Sequence, residues 1–129
     1  MNSGRVVLDS AAVLAFLCHE RGGDDVIPYL TCGVMSAVNY SEVLTKLIDR
    51  GAPLEEAIRF VSPFSLDIVP FSEELAAMAA SLRPITRAVG MSFADRACLA
   101  LAMQRNLPVV TADKAWSKLT LDVDIKQLR

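Results

Sequence analysis

Four acidic residues occupy positions that can bring carboxylates together for chemistry. Asp9 ends the apolar run Val6-Val7-Leu8, Asp113 follows another apolar run, and Glu42 and Asp95 lie near the starts of two segments with helical periodicity. Carboxylates that meet at one point hold hard divalent cations, because these cations prefer oxygen ligands. A cation held in this way can lower the pKa of bound water and neutralise charge on a phosphodiester. The four acids therefore indicate metal-assisted hydrolysis, provided that the fold brings them together.

Short apolar runs and helical segments alternate along the chain. The apolar runs are rich in β-branched residues and predict strands that are buried on both faces. The predicted strands cover residues 6–8, 33–38, 66–69, 108–111 and 123–125. Strands that alternate with helices form a parallel α/β sheet, in which the helix N-termini lie at the carboxyl ends of the strands. All four acids are therefore expected at one edge of the sheet, although the residues alone leave the strand order open.

Each of these acids also has a purely structural explanation. Asp9 can cap the helix that follows it, and Asp113 can belong to a turn. Glu42 lies three residues after Asn39, a predicted N-cap, and Asp95 has the same capping-box spacing from a serine. Capping does not require the acids to converge, whereas a metal site does. The two explanations therefore demand different geometries.

The type of cation follows from the ligands that the sequence offers. Two unit charges about 4 Å apart repel by about 4 kcal/mol at an effective dielectric near 20, so converging carboxylates need a counter-charge. His19 is the single histidine. Oxygen ligands without a histidine or cysteine cluster favour Mg²⁺ or Mn²⁺ over zinc. The hydroxyl groups beside the acids, which can hold a water or a carboxylate or can merely cap helices, are those of Ser10, Ser92 and Thr111.

The composition describes a folded domain. With 129 residues, of which 53 % are hydrophobic and 22 % charged, the chain is long enough for one domain with a sizeable core. We recognise no signal peptide and no apolar run of membrane-spanning length. Three cysteines, an odd number, suit a reducing compartment, so we expect a cytoplasmic location without a membrane partner. The net charge of −2 counts mildly against a nucleic-acid partner but leaves room for a local basic rim.

The four acids lie in four short motifs, which read VVLDS at 6–10, NYSEV at 39–43, GMSFADRA at 90–97 and VTAD at 110–113. In this order they resemble the acidic motifs of PIN-domain ribonucleases, and most closely those of the VapC toxins of bacterial toxin–antitoxin pairs. No single motif is specific, but four in order at these spacings form a strong signal over nearly the whole chain. The resemblance implies a single PIN domain over residues 1–129.

The resemblance also implies an architecture and an activity. It implies a three-layer α/β fold with a central five-stranded parallel sheet, strand order 3-2-1-4-5, flanked by helices. That order makes strands one and four neighbours, which supplies the convergence that the residues alone leave open. It further implies a Mg²⁺- or Mn²⁺-dependent endoribonuclease that forms a homodimer and is neutralised by a VapB-like antitoxin. The apolar helices after Asp9 and after Glu42 offer hydrophobic surface for such partners.

The resemblance assigns roles to the acids one by one. Asp9, Glu42 and Asp95 match the three central acids of the family, and Asp113 matches the fourth, more variable one. We expect Asp9 and Asp95 to bind the metal directly, and Glu42 and Asp113 to complete its shell or orient the water. The candidates for binding RNA phosphates, each of which could equally be a solvated surface charge, are Lys46, Arg83, Arg87, Arg96 and Lys114.

Other functions of parallel α/β domains fit the sequence less well. A phospho-acceptor receiver domain has an acidic pair before its acceptor strand, but positions 2–8 contain no carboxylate. A haloacid-dehalogenase-type phosphatase has a second aspartate two residues after the first, where this chain has Ala11. The alternative from a different class is a non-catalytic PIN-like module that binds RNA or protein without cleaving. The four intact acids argue against that alternative.

Overall fold

The molecule is built on a sheet of five parallel strands. A computed structural model describes residues 4–128, so residues 1–3 and 129 of the predicted domain lie outside the described range. The strands are β1 (Val6–Leu8), β2 (Gly33–Ser36), β3 (Asp67–Val69), β4 (Val109–Thr111) and β5 (Ile125–Gln127). Their order in the sheet is β3-β2-β1-β4-β5, and all neighbouring pairs are parallel. The predicted fold class and strand order are confirmed.

Seven α-helices flank the sheet within residues 4–128. They are α1 (Ser10–Leu17), α2 (Ile27–Leu30), α3 (Ala37–Asp49), α4 (Leu54–Val61), α5 (Glu73–Ser81), α6 (Arg83–Thr86) and α7 (Phe93–Arg105). Short 3₁₀ helices cover Gly23–Val26, Ser62–Phe64, Arg87–Val89 and Lys114–Lys118. Over the described part of the chain, no helix combines the length and apolar character that crossing a bilayer requires.

The strands are buried on both faces, which explains their uninterrupted apolar sequences. Val7, Val34 and Val109 face one layer, where they pack with α5 and α7. Val6 and Leu8 face the opposite layer, where they pack with α1, α3 and α4. Full burial of such a side chain contributes roughly 1.5–3 kcal/mol to stability, so both layers hold β1 firmly in the centre. The residue that follows β1 is therefore fixed in place by the core.

The start of α3 differs from the sequence prediction. The strand predicted over 33–38 ends at Ser36, because the Oγ of Ser36 accepts a hydrogen bond from the backbone N–H of Val38 at 3.2 Å and begins α3 there. Asn39 is consequently a residue inside the helix. The predicted N-cap at Asn39, and with it the capping-box partnership of Glu42, is wrong.

Other element ends follow local chemistry more closely. Ser72 caps α5, with its Oγ accepting from Leu75 N–H at 3.1 Å, and Asn106 ends α7 in the left-handed conformation (φ 53°), both as predicted. The fifth strand begins at Ile125, two residues later than predicted, because Ile125 pairs with Val109 of β4. Val123 lies before this strand and packs against the core instead.

Gly23 tests the packing that holds α1 in place. A Cβ at this position would stand 2.3 Å from the carbonyl oxygen of Ala15, a backbone atom that no rotamer change can move. We expect Gly23→Ala to lower the free energy of unfolding by about 3 kcal/mol, measured by urea denaturation. The matched variant Gly90→Ala meets no atom within 4 Å but has a φ of +70°, and it should cost only about 1 kcal/mol. Equal losses in the two variants would contradict the close contact.

Candidate active site

The four predicted acids line a single cleft at the carboxyl edge of the sheet. The cleft has a volume of about 360 Å³, and its walls include Asp9, Glu42, Asp95 and Asp113. Asp9 and Asp113 come from the ends of the adjacent strands β1 and β4. Glu42 and Asp95 come from α3 and α7, which begin at the same edge. The fold thus brings together the residues that the sequence could place only along one edge.

Asp9 is the deepest of these acids, with only 2 % of its surface exposed. Its Oδ1 accepts a hydrogen bond from Ala12 N–H at 2.8 Å, which caps α1. Its Oδ2 accepts a hydrogen bond from the hydroxyl of Thr111. The same hydroxyl oxygen accepts from Asp113 N–H at 2.9 Å. Thr111 therefore links the carboxyl group of Asp9 to the backbone of Asp113.

Burial changes the ionisation of two of the acids. Loss of hydration raises the pKa of Asp9 from 3.8 to about 7, against the lowering effect of its hydrogen bonds to Thr111 and Ala12, and the charges of Asp95 and Asp113 raise it further. Burial also raises the pKa of Asp95, to which the charges of Asp113 and Glu42 add. Mutual repulsion among the carboxylates is thus part of the electrostatics of the cleft.

Glu42 lies in the second turn of α3 and is oriented from α1. Its Oε1 accepts a hydrogen bond from the hydroxyl of Ser10, the first residue of α1. One turn earlier in α3, the buried amide of Asn39 donates to the carbonyl oxygen of Ala94 at 3.1 Å. Because Ala94 precedes Asp95, this bond ties the helix that carries Glu42 to the helix that carries Asp95. Asn39 thus links the two helices and does not have the capping role that the sequence predicts for it.

Asp95 combines the two explanations that its sequence position allows. Its Oδ2 accepts from Ser92 N–H at 3.0 Å, and its own N–H donates to Ser92 Oγ at 3.2 Å. The predicted capping box is therefore confirmed, and Ser92 acts as the helix cap. Asp95 nevertheless forms part of the cleft wall with the other acids. Capping and convergence are both present at this residue.

Hydrogen bonds hold both the side chain and the backbone of Asp113. Its Oδ1 accepts from Ala115 N–H at 3.0 Å and caps the 3₁₀ helix Lys114–Lys118. Its carbonyl oxygen accepts from the side-chain amide of Gln127 at 2.5 Å. Gln127 belongs to β5 and was not among the predicted site residues, because nothing local to it marks a contact with a loop fourteen residues earlier.

Two of the predicted basic residues border the acids. Lys46 lines the cleft one turn after Glu42, and Arg50, which the sequence prediction omitted, lines it one turn further along. Arg50 forms an ion pair with Glu20 at 3.6 Å, and Glu20 belongs to the same wall. Lys114 lies in a second groove, which shares Asp113 with the acidic cleft. The spacing of four residues from Glu42 to Lys46 and from Lys46 to Arg50, which directly follows α3, could have identified Arg50 from the sequence.

The other three predicted basic residues do not line the acidic cleft. Arg83 and Arg87 are exposed on α6 and the 3₁₀ helix after it. Arg96 is half-buried, and its Nη1 donates to the carbonyl oxygen of Ala79 in α5 at 3.1 Å. The guanidinium of Arg96 thus has a partner within the protein.

The residues of the cleft fit a hard divalent cation in charge and donor type. Within residues 4–128, no three side chains of His, Cys, Asp or Glu stand close enough together to form a ready-made metal site. The donors on the cleft wall are carboxylates, however. A cation would compensate the loss of hydration, and the smaller mutual repulsion, that raise the pKa values of Asp9 and Asp95. Oxygen donors of this kind suit Mg²⁺ or Mn²⁺.

The raised pKa of Asp9 predicts how stability depends on pH in the metal-free protein. Between pH 4 and pH 7 the folded state holds a proton that the unfolded state has lost, so stability falls as pH rises through this window. A shift from 3.8 to about 7 corresponds to about 4 kcal/mol in total. We expect Asp9→Asn to flatten the curve of unfolding free energy against pH, measured in EDTA. The exposed control Asp25→Asn should keep the parent slope, and a parent slope in Asp9→Asn would contradict the assignment.

Comparison with known proteins agrees with this arrangement. The family model of the PIN domain matches residues 6–121. A search among curated proteins finds no match.

Solved structures share the fold at low sequence identity. FitAcB from Neisseria gonorrhoeae superposes with a TM-score of 0.72 at 22 % identity, covering 95 % of this chain and 97 % of that one. DNA-bound VapBC from Salmonella typhimurium gives a TM-score of 0.72 at 14 % identity, and the match covers 97 % of this chain and 98 % of that one. VapC20 of Mycobacterium tuberculosis is described as a sarcin–ricin loop cleaving toxin. It gives a TM-score of 0.71 at 11 % identity, and the match covers 89 % of this chain and 96 % of that one. With its strand order, its acidic edge and the family match over 6–121, the chain belongs to the PIN-domain family.

Proposed function

We propose that this protein is a Mg²⁺- or Mn²⁺-dependent endoribonuclease that hydrolyses RNA phosphodiester bonds and acts as the toxin of a toxin–antitoxin pair. The observation that carries the proposal is the convergence of four carboxylates from four different elements on one cleft. Membership of the PIN-domain family supports it, as does the likeness of fold to VapC20, which is described as a sarcin–ricin loop cleaving toxin. Such a toxin meets its substrate in the cytoplasm, which is the location we propose.

The four acids have two proposed roles, binding the cation and orienting the attacking water. Asp9 and Asp95 are the proposed direct ligands of the cation, and Glu42 and Asp113 complete its shell or orient the attacking water. When bound, the cation supplies a water of lowered pKa and positive charge against the phosphate. The hydroxyl of Ser10 holds Glu42, and that of Thr111 holds Asp9, so that both carboxyl groups are oriented before substrate binds.

Basic side chains on two sides of the acids offer binding sites for RNA phosphates. Lys46 and Arg50 extend along the wall that α3 contributes to the acidic cleft. Lys114 and Arg21 line the adjoining groove, which the cleft meets at Ala11 and Asp113. A strand of RNA that crosses the acids would have positive charge ahead of and behind the bond to be cut. This local arrangement reconciles RNA binding with the net charge of −2.

The proposed partners are a second copy of this chain and a VapB-like antitoxin. One solved structure that shares the fold is described as a toxin–antitoxin complex, which supports an antitoxin partner. The surplus apolar surface expected on the first helix is absent, because Ala12, Val13 and Ala15 of α1 are fully buried. Exposed apolar side chains occur on α3 and α4 instead, at Ile48 (43 %) and Leu54 (54 %).

Oligomeric state and partner binding can be measured together. We expect the purified chain to be a dimer by light scattering at micromolar concentration, because burial of exposed apolar surface favours association. We also expect a small protein with an amphipathic helix to co-purify from the native cells. A monomer without such a partner would contradict both halves of the proposal.

Metal dependence and the role of Asp95 share one test. Incubation with total RNA should produce new ends in Mg²⁺ or Mn²⁺ and none in excess EDTA, and Asp95→Asn should lose the activity. The melting temperature of Asp95→Asn in EDTA should equal or exceed that of the parent, because the substitution relieves repulsion with Glu42 and Asp113. The stabilisation that millimolar Mn²⁺ gives the parent should disappear.

Ser72→Ala is a capping control, since it removes one capping hydrogen bond at the start of α5 and Ser72 is not part of the cleft wall. It should cost about 1 kcal/mol and keep the full Mn²⁺ shift. If Asp95→Asn behaves like this control, Asp95 acts only in the capping box and is not a ligand. Cleavage that persists in EDTA would sink the metal proposal, and RNA binding without cleavage in either metal would support a non-catalytic module.

A further inference from the structure

An aromatic ring projects into solvent beside the acidic cleft. Phe93 is the first residue of α7, and 52 % of its surface is exposed. The residue before it, Ser92, and the residue two positions after it, Asp95, both line the cleft. Phe93 is not itself part of the cleft wall, but its backbone joins it directly to Ser92, so the residue lies where α7 begins beside the cleft.

The ring is held in place by its neighbours. Phe71 packs against it edge to face, with centroids 5.5 Å apart and planes at 86°. The guanidinium carbon of Arg96 lies 6.0 Å from the centroid of Phe93, and Arg96 is itself fixed by its hydrogen bond to Ala79. The capping box formed by Ser92 fixes the backbone at this helix start. The ring is thus a prearranged surface, which lowers the entropic cost of binding to it.

The surroundings of the ring favour a nucleic-acid base as its ligand. Most other large exposed apolar side chains are aliphatic and offer no aromatic face. A base stacks on an aromatic ring whatever its identity, and the positive charge of Arg96 beside Phe93 suits the phosphate that accompanies each base. The acids next to it are where the proposed reaction takes place. A base-paired nucleotide cannot use this surface, because its faces are covered by its stacked neighbours.

We propose that Phe93 is a stacking platform for an unpaired base of single-stranded RNA, next to the phosphodiester bond that enters the acidic cleft. This assignment rests on the proposed function and adds to it a contact for one base of the RNA. Arg96 acts as a positioning residue, because it holds the ring and supplies positive charge beside it. Phe71 supports the ring from the core side.

The test measures binding of an RNA oligonucleotide that contains 2-aminopurine, in an Asp9→Asn background at low salt, so that cleavage does not intervene. Asparagine is as good an N-cap as aspartate, so this background keeps the start of α1. The base fluorescence should be quenched on binding. Phe93→Leu should abolish the quenching and weaken the dissociation constant roughly 5- to 100-fold, the range for loss of one stacked base. Phe93→Trp should retain both signals.

Two controls separate stacking from general effects. Phe60→Leu removes a ring of similar exposure (45 %) on α4 and should leave the dissociation constant unchanged. A duplex of the same sequence should bind equally to the background protein and to its Phe93→Leu variant. Melting temperatures of all variants are compared to confirm that they fold. If Phe93→Leu unfolds, the Phe93→Trp variant decides. Retained quenching in Phe93→Trp supports stacking, and lost quenching overturns the stacking role.

The outcomes distinguish this inference from the proposed function. Unchanged affinity and quenching in Phe93→Leu would overturn the stacking role while metal-dependent cleavage by the parent still stands. Loss of affinity for a co-purified protein, with RNA binding unaltered, would make the ring a protein contact and also overturn it. A parent that neither cleaves nor binds RNA would overturn the proposed function and the stacking role together.

Discussion

The buried carboxyl group of Asp9 is the constraint on which the rest of the site depends. Only 2 % of the residue is exposed, and a buried ionised carboxylate is costly unless hydrogen bonds or a counter-charge compensate it. The bonds from Ala12 and Thr111 compensate in part, but burial dominates and the pKa rises to about 7. Near neutral pH, the carboxyl group of Asp9 is therefore stabilised either by a proton or, under the proposed function, by a bound cation.

The elements that surround Asp9 converge on it through contacts that also stabilise the fold. The hydroxyl of Thr111 joins β1 to the loop after β4, and the amide of Asn39 joins α3 to the first turn of α7. The capping bonds of Asp95 begin α7 and hold its carboxyl group at the cleft at the same time. Structural and chemical explanations of these residues are consequently not exclusive, because one geometry serves both.

Sequence reasoning succeeded where a feature depends on neighbouring residues and failed where it depends on distant ones. The caps Ser72 and Ser92 were predictable from local chemistry, and β1 from its apolar run. Ser36 displaced Asn39 as the cap of α3 because the tertiary fold ends β2 there, and Gln127 reaches Asp113 only once β5 is paired with β4. Convergence of the acids needed the strand order, which the residues alone left open and the resemblance supplied.

Three helices direct their N-termini at the edge where the acids meet. The start of a helix carries a partial positive charge of about +0.5, so α1, α3 and α7 each offset some of the repulsion there. This offset allows the metal-free fold to hold four carboxylates in one cleft. It is incomplete, since burial, with a smaller contribution from the neighbouring charges, still raises the pKa of Asp9 to about 7 and that of Asp95 above its usual value. Lys46, in the last turn of α3, lies on the cleft wall and carries positive charge at the negative end of the dipole of that helix. Under the proposed function, a polyanion entering along that wall would meet Lys46 first and the acids last, and a bound cation would offset the repulsion from the acids.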